Sequence, residues 1–373
     1  MKPNRGFFTH LTQNIWALGA TLVFCVSGTQ AAGVTQYPGA SWVVAPPEQN
    51  HWSVAKLDAA REYSKSINSS SVMIIQHGLV MAQWGELDRK ISSYSIRKSL
   101  LSALYGIYSN EKRINIDSTL AQLGITDAPD PLTDNERKAR VVDLLRARSG
   151  VYHPVDFETK LMIETRPPRE SHAPGTFWFY NNWDFNALGT IFEKSVGMSI
   201  GEAFYQRIAI PLHMQDFKPG DVYYIEGPVS VHRAFHFRIT ARDLARFGLL
   251  YLRDGRWNGH QIVPKEWVDK SSHANEMIQF GGSDAGGYEY LWWVSYHGTN
   301  LPGVSVPDGT YSAQGAGGHY LVIIPSLDLI VVHRWANDPP THDPATVVEW
   351  AYKGIPRAQF GHLLQLILDA APP

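Results

Sequence analysis

The sequence predicts an α+β fold: an antiparallel sheet built from both chain ends, flanked by terminal helices, with a largely helical region inserted between. Three observations carry this. Strand-like runs occur early, in SVMIIQHGLVMAQWG (71–85), and late, between 288 and 335. The stretches between them carry mostly helical periodicity. Amphipathic segments flank the strand runs at both ends, placed to cover one sheet. The 373 residues are 44% hydrophobic and 18% charged, enough apolar material for one large domain. The expected division is a leader over 1–32 and a domain over 33–373, with the sheet part near 50–92 and 285–373 and the helical part near 93–284.

In chain order, SVAKLDAAREYSKSIN (53–68) predicts a helix with Ser53 as its N-cap. The run 71–85 reads as two strands joined at His77–Gly78. Ser95 to Tyr108 predicts a helix with Leu100, Leu101, Leu104, Ile107 and Tyr108 on one apolar stripe. Further helices are expected over 141–150, 183–197, 201–211 and 240–255. Strands return at 288–296 and within 319–335, and a last helix is expected over 358–371. A binding site falls by default at the junction of the sheet and helical parts.

The N-terminus differs from the rest. MKPNRGFF is basic, IWALGATLVFCVSG is apolar, and TQAAG is small-residue, which is the pattern of a secretory leader with cleavage after Ala31 or Ala32. The apolar core is shorter than the about 20 residues a spanning helix needs, so no stable membrane insertion is expected after cleavage. The expected location is periplasmic or secreted. The single cysteine, Cys25, lies in that segment, so the mature chain would have no thiol nucleophile, disulfide or cysteine metal site. A net charge of −2 without a long basic run excludes a nucleic-acid footprint.

Serine precedes lysine by three residues at Ser53–Lys56, Ser95–Lys98 and Ser109–Lys112. Residues so spaced share a helix face, and a serine at a helix start sits where the dipole favours developing negative charge. The lysine can take the serine proton only when neutral, and lowering its pKa from 10.4 to about 7 costs roughly 4–5 kcal/mol, which requires burial or a nearby cation. Lys56 stands among charged residues, so Ser53 reads as an N-cap beside a surface lysine. Ser109 follows an apolar helix, where the dipole has the wrong sign. Ser95 begins an apolar helix, and SLLSALYGIY after Lys98 promises a dry environment.

A second segment, APGTFWFYNNWDFNALGTIFEKSVG, contains Tyr180-Asn181-Asn182, a Y-x-N triplet before an amphipathic helix. With Ser95-x-x-Lys98 and a later Gly-rich run, SAQGAGGHY, the order resembles the serine β-lactamase and penicillin-binding-protein family, above all its esterases and 6-aminohexanoate-dimer hydrolases. The resemblance implies a β-lactamase/transpeptidase-like fold and a serine hydrolase acting on a small-molecule ester or amide. Ser95 would be the nucleophile, with Lys98 and Tyr180 sharing the base role; a tyrosine beside cations can be partly phenolate. Asn182 would bond Lys98 or the substrate amide. The backbone of Ser95 and of Ala316, after Gly315, would hold the oxyanion. No metal or organic cofactor is implied.

The chain departs from the family pattern at the third motif, where Ala313-Gln314-Gly315 stands in place of a Lys or His, one residue, then Gly. The missing cation favours a neutral ester or amide over a β-lactam or D-Ala-D-Ala peptide. A D,D-peptidase or β-lactamase proper, and a catalytically silent ligand-binding relative, are the alternatives. Asp184 stands where many relatives have glycine. His319 reads as a strand-edge histidine without a catalytic role. His232 and His236 lack a third metal ligand. Of Tyr152, Trp178, Trp183, Trp292 and Trp293, one or two are expected to touch substrate.

Overall fold

The computed structural model describes residues 36–372; the predicted leader lies outside the described residues. Helix α1 (Val54–Ser66) opens on Ser53, whose hydroxyl accepts from the Lys56 N–H. Strands β1 (Ser71–Gln76) and β2 (Leu79–Gly85) follow, joined by His77 and Gly78, both at positive φ. The short β3 (Ile91–Ser92) leads into α2 (Ile96–Asn110). Next come α3 (Val141–Leu145), α4 (Lys160–Thr165), α5 (Asn182–Val196) and α6 (Ile200–Phe204). Strands β4 (Val222–Ile225) and β5 (Ala234–Ile239) precede α7 (Ala241–Leu252). Two-residue strands β6 (Arg256–Trp257) and β7 (His260–Gln261), helix α8 (Lys265–Ser272) and the hairpin β8 (Gln279–Phe280)–β9 (Ser283–Asp284) continue the chain. The end holds β10 (Gly287–Glu289), β11 (Trp292–Val294), β12 (Tyr311–Gly315), β13 (His319–Ile324), β14 (Leu329–Arg334), α9 (Pro344–Ala351) and α10 (Arg357–Ala370).

Both chain ends build one antiparallel sheet of seven strands, ordered β10-β11-β12-β13-β14-β1-β2. The join is β1 on β14, with Ile74 opposite Val331. Side chains alternate across the sheet, and both faces are buried. Val72, Ile74, Val322 and Val331 pack with Phe360, Leu363 and Leu364 of α10. Met73, Ile75, Leu321 and Val332 face the other way, into the large core that holds α2, α5 and α7. This explains why β1, β13 and β14 read as unbroken apolar runs rather than alternating ones.

The largely helical inserted region also contains a second sheet, β3-β5-β4, in which RAFHFRI supplies a buried strand. Three expectations are corrected. Residues 288–296 form a hairpin rather than one strand, because Tyr290 and Leu291 both take positive φ. The helix expected over 141–150 ends at Leu145, with Ala147 already left-handed. The one expected over 201–211 is a short α-helix continued by a π turn over Tyr205–Ala209. Among the described residues no helix is long and apolar enough to cross a membrane.

Candidate active site

Ser95 stands where β3 turns into α2. Tyr94 before it is held at φ 45°, a conformation costly for a bulky residue, so its surroundings must impose it. The Tyr94 hydroxyl donates to the Asn337 carbonyl at 2.9 Å, and its buried ring stacks on His319. Arg334 of β14 donates to the carbonyls of Ile91, Ser92 and Ile239, fastening this turn to the main sheet. His319 accepts at Nδ1 from Arg334 Nε and meets Asn337 Oδ1 through Nε2 at 2.7 Å. Burial, with Arg334 beside it, drives its pKa well down, so it is a neutral imidazole in a scaffold role.

One turn into α2, Lys98 Nζ lies 2.7 Å from Ser95 Oγ and 2.8 Å from the Tyr180 hydroxyl. Lys98 is buried, and the rings of Tyr180 and Phe185 each sit 4.3 Å from its nitrogen. Burial, then the charge of neighbouring Arg97, lower its pKa well below the ordinary lysine value. Arg97 is itself held by the Phe235 carbonyl and Asn186 Oδ1. Among the described residues neither cation has a carboxylate partner. Tyr180 corrects the phenolate expectation: burial pushes it up to about 12, outweighing the hydrogen bond to Ser95 and the charges of Arg97 and Arg357. Tyr180 is a phenol that can give and regain a proton.

The facing wall is β12 and the Gly-rich turn after it. A Cβ on Gly315 would lie 2.5 Å from the Ser93 carbonyl oxygen, so only glycine lets β12 pass this close to the serine turn. Gly317 and Gly318, at φ 82° and 102°, complete the tight turn. Ser95, Tyr180, Gly315 and Ala316 line one cavity of about 160 Å³. The backbone N–H groups of Ser95 and Ala316 have no acceptor among the described residues. These are free donors bordering the serine, as an oxyanion site requires.

Sequence reasoning missed Arg357, which borders the same cavity from the first turn of α10. Its Nη2 donates to Gln314 Oε1 at 3.1 Å, and Phe280 and Trp293 flank it. It has no carboxylate partner among the described residues, and burial lowers its pKa. The site therefore holds a cation, contributed by α10, although the third motif lacks one. No sequence signal near 357 announces this, because the motif position is 42 residues upstream in sequence at Gly315.

Asn182 departs from expectation as well. Its Nδ2 donates to the Phe157 carbonyl at 2.6 Å, it makes no bond to Lys98, and it lies outside the cavity wall. As first residue of α5 it satisfies a buried carbonyl of the neighbouring loop instead. Asp184 gains a physical account: it accepts from Ser149 and Asn181, pinning the 147–151 segment to α5. Of the five aromatic candidates, Trp293 lines the cavity and Trp178 an adjoining one, while Tyr152, Trp183 and Trp292 are buried and line neither. Ser53 caps α1 beside exposed Lys56, and Ser109 lies at the far end of α2. His236 is enclosed by Tyr94, Phe157 and Tyr223, and no metal-ligand cluster occurs among the described residues.

The close approach at Gly315 gives a direct test. Gly315→Ala should displace β12 and lower kcat/KM by about 10²-fold, the scale of a misplaced oxyanion donor. Unchanged ester turnover in this variant would show that the contact with Ser93 does not position the site.

The sequence matches the family model described as Beta-lactamase over residues 31–352. A Bacillus anthracis protein provisionally named a 6-aminohexanoate-dimer hydrolase is similar in structure, with a TM-score of 0.60 at 17% identity over 91% of this chain and 88% of its own. A family VIII carboxylesterase matches with a TM-score of 0.57 at 14% identity, over 83% of this chain and 98% of its own. A penicillin-binding-protein homologue from Caulobacter crescentus gives 0.55 at 14%, over 80% and 96%. An uncharacterised protein of Alkalihalophilus pseudofirmus is 20% identical over 292 residues, 72% of this chain and 84% of its own. The structural likenesses establish the shared fold, and the family match covers most of the sequence: the chain belongs to the beta-lactamase family.

Proposed function

We propose that the protein is an exported serine hydrolase that cleaves esters or amides through an acyl-enzyme on Ser95. The observation that carries this is the buried Lys98 nitrogen, within hydrogen-bond reach of both Ser95 Oγ and the Tyr180 hydroxyl and unpaired with any carboxylate among the described residues. A neutral Lys98 accepts the serine proton as Oγ bonds to the carbonyl carbon. The N–H groups of Ser95 and Ala316 hold the resulting oxyanion. Tyr180 gives its proton to the departing alcohol or amine and regains one from Lys98. Water then attacks the acyl-enzyme, its proton passing back through the same pair, and releases the acid and a restored Ser95. The similar structures named as a carboxylesterase and, provisionally, a 6-aminohexanoate-dimer hydrolase support this reading. The basic, apolar and small-residue pattern of residues 1–32 supports export, with the mature chain beginning at Ala32 or Gly33.

A second reading, a β-lactamase or D,D-peptidase, is favoured by one observation. Arg357 is a cation without a carboxylate partner at the wall of the Ser95 cavity, suited to a substrate carboxylate. The neutral-substrate reading stands first because the third-motif cation itself is absent.

Labelling, turnover, pH dependence, substrate preference and N-terminal sequencing test these readings. Wild type should label with a fluorophosphonate and turn over short p-nitrophenyl esters, and Ser95→Ala should do neither; labelling that survives in Ser95→Ala but disappears in Ser53→Ala would move the nucleophile. Because Lys98 must be neutral and its pKa is lowered, kcat/KM should rise with pH through the Lys98 ionisation. It should then stay level until Tyr180 ionises near 12. Lys98→Arg, always charged, should lose about 10²–10⁴-fold. Ester turnover should exceed nitrocefin turnover; nitrocefin preferred over esters, with the preference lost in Arg357→Ala, would establish the second reading. N-terminal sequencing of protein recovered outside the cytoplasm should read from Ala32 or Gly33, and an intact Met1 there would rule out cleavage.

A further inference from the structure

A second cavity, of about 230 Å³, adjoins the one that holds Ser95. Met162, Tyr180 and Phe280 wall both, so the two are neighbouring compartments of one cleft. Three elements build the second compartment: α4 through Leu161, the extended segment before α5 through Phe177 and Phe179, and the β8–β9 hairpin. Its lining contains no Lys, Arg, His, Asp or Glu side chain; Thr165 and Gln279 are its polar members besides Tyr180. At the hairpin tip Gly281 and Gly282 keep one wall bare, and a Cβ on Gly281 would reach within 3.7 Å of Leu161 across the gap. The compartment is larger than the roughly 150 Å³ apolar cavity known to accept a benzene.

We infer that this compartment receives an uncharged apolar leaving group, about one ring in size, of the ester or amide cleaved at Ser95. The inference rests on the serine-hydrolase reading. In that reaction Tyr180 protonates the departing oxygen or nitrogen, so the leaving group lies against Tyr180. Tyr180, with Met162 and Phe280, borders both compartments. The acyl part keeps to the Ser95 side, along Gly317, Gly318, Tyr320 and Ile355, none of which borders the second compartment. Apolar burial in a ring-sized space drives binding, and the absence of charged groups disfavours an ionic leaving group.

The test compares benzyl acetate, ethyl acetate and ethyl octanoate in wild type, Leu161→Trp and Leu161→Ala. Leu161 touches the second compartment and not the Ser95 cavity. Leu161→Trp should lower kcat/KM for benzyl acetate by about tenfold or more while leaving ethyl acetate within about twofold, the discrimination a filled apolar pocket supplies. Retained ethyl acetate turnover also shows that the variant folds. Leu161→Ala should keep benzyl acetate turnover. Because both acetates form one acetyl-enzyme, its rate of hydrolysis within each protein should be the same whichever acetate formed it. Loss confined to ethyl octanoate would assign the compartment to the acyl chain and overturn the inference, as would equal loss on both acetates. Wild type that neither labels at Ser95 nor hydrolyses any of the three would overturn the hydrolase reading and this inference together.

Discussion

A lysine nitrogen taken out of water, with another buried cation beside it, is the constraint on which the rest of the site depends. Lys98 is enclosed by Tyr180 and Phe185, and Arg97 adds its charge from the next position along the helix. No carboxylate is paired with either among the described residues, so the neutral amine is the form this environment favours. An amine in that state beside a serine hydroxyl is a base. The same dry surroundings raise Tyr180, so the two partners of Ser95 differ in kind, and in the proposed mechanism one accepts a proton and the other supplies one.

Holding such a group buried is unfavourable, and the fold offsets it with core on every side. The main sheet is covered on both faces, by α1 and α10 on one and by the helical core on the other. Arg334 ties the serine turn to that sheet through three backbone carbonyls, and His319 and Asn337 complete the scaffold. The left-handed Tyr94 and the bare Gly315 are two sides of one contact: the turn is forced toward β12, and β12 has no side chain to keep it away. Ser95, Lys98 and Gly315 thus stand on a packed helix and a buried strand.

Much of this was legible in the sequence because it is local. Ser53 caps its helix, the apolar runs 71–76 and 319–334 are strands buried on both faces, and Ser95 and Lys98 share one helix face. Other features escaped because they depend on distant neighbours. RAFHFRI reads locally as strand or loop, but its pairing with a two-residue strand far upstream has no local signature. The reversal at Tyr290–Leu291 uses positive φ at residues that do not advertise it. Asn182 matches a motif by spacing, yet its amide serves the Phe157 carbonyl.

By itself the sequence determined which residues could do chemistry: a serine and lysine one helical turn apart, and a tyrosine 82 residues beyond the lysine at the head of another helix. Periodicity and capping are short-range, so they are written in consecutive residues. The tertiary structure alone decided the electrostatics. That Lys98 is dry, that Tyr180 remains a phenol, and that Arg357 returns a cation to the cleft all follow from desolvation and through-space charge. Those depend on what surrounds a group in three dimensions, and only the packed chain specifies that.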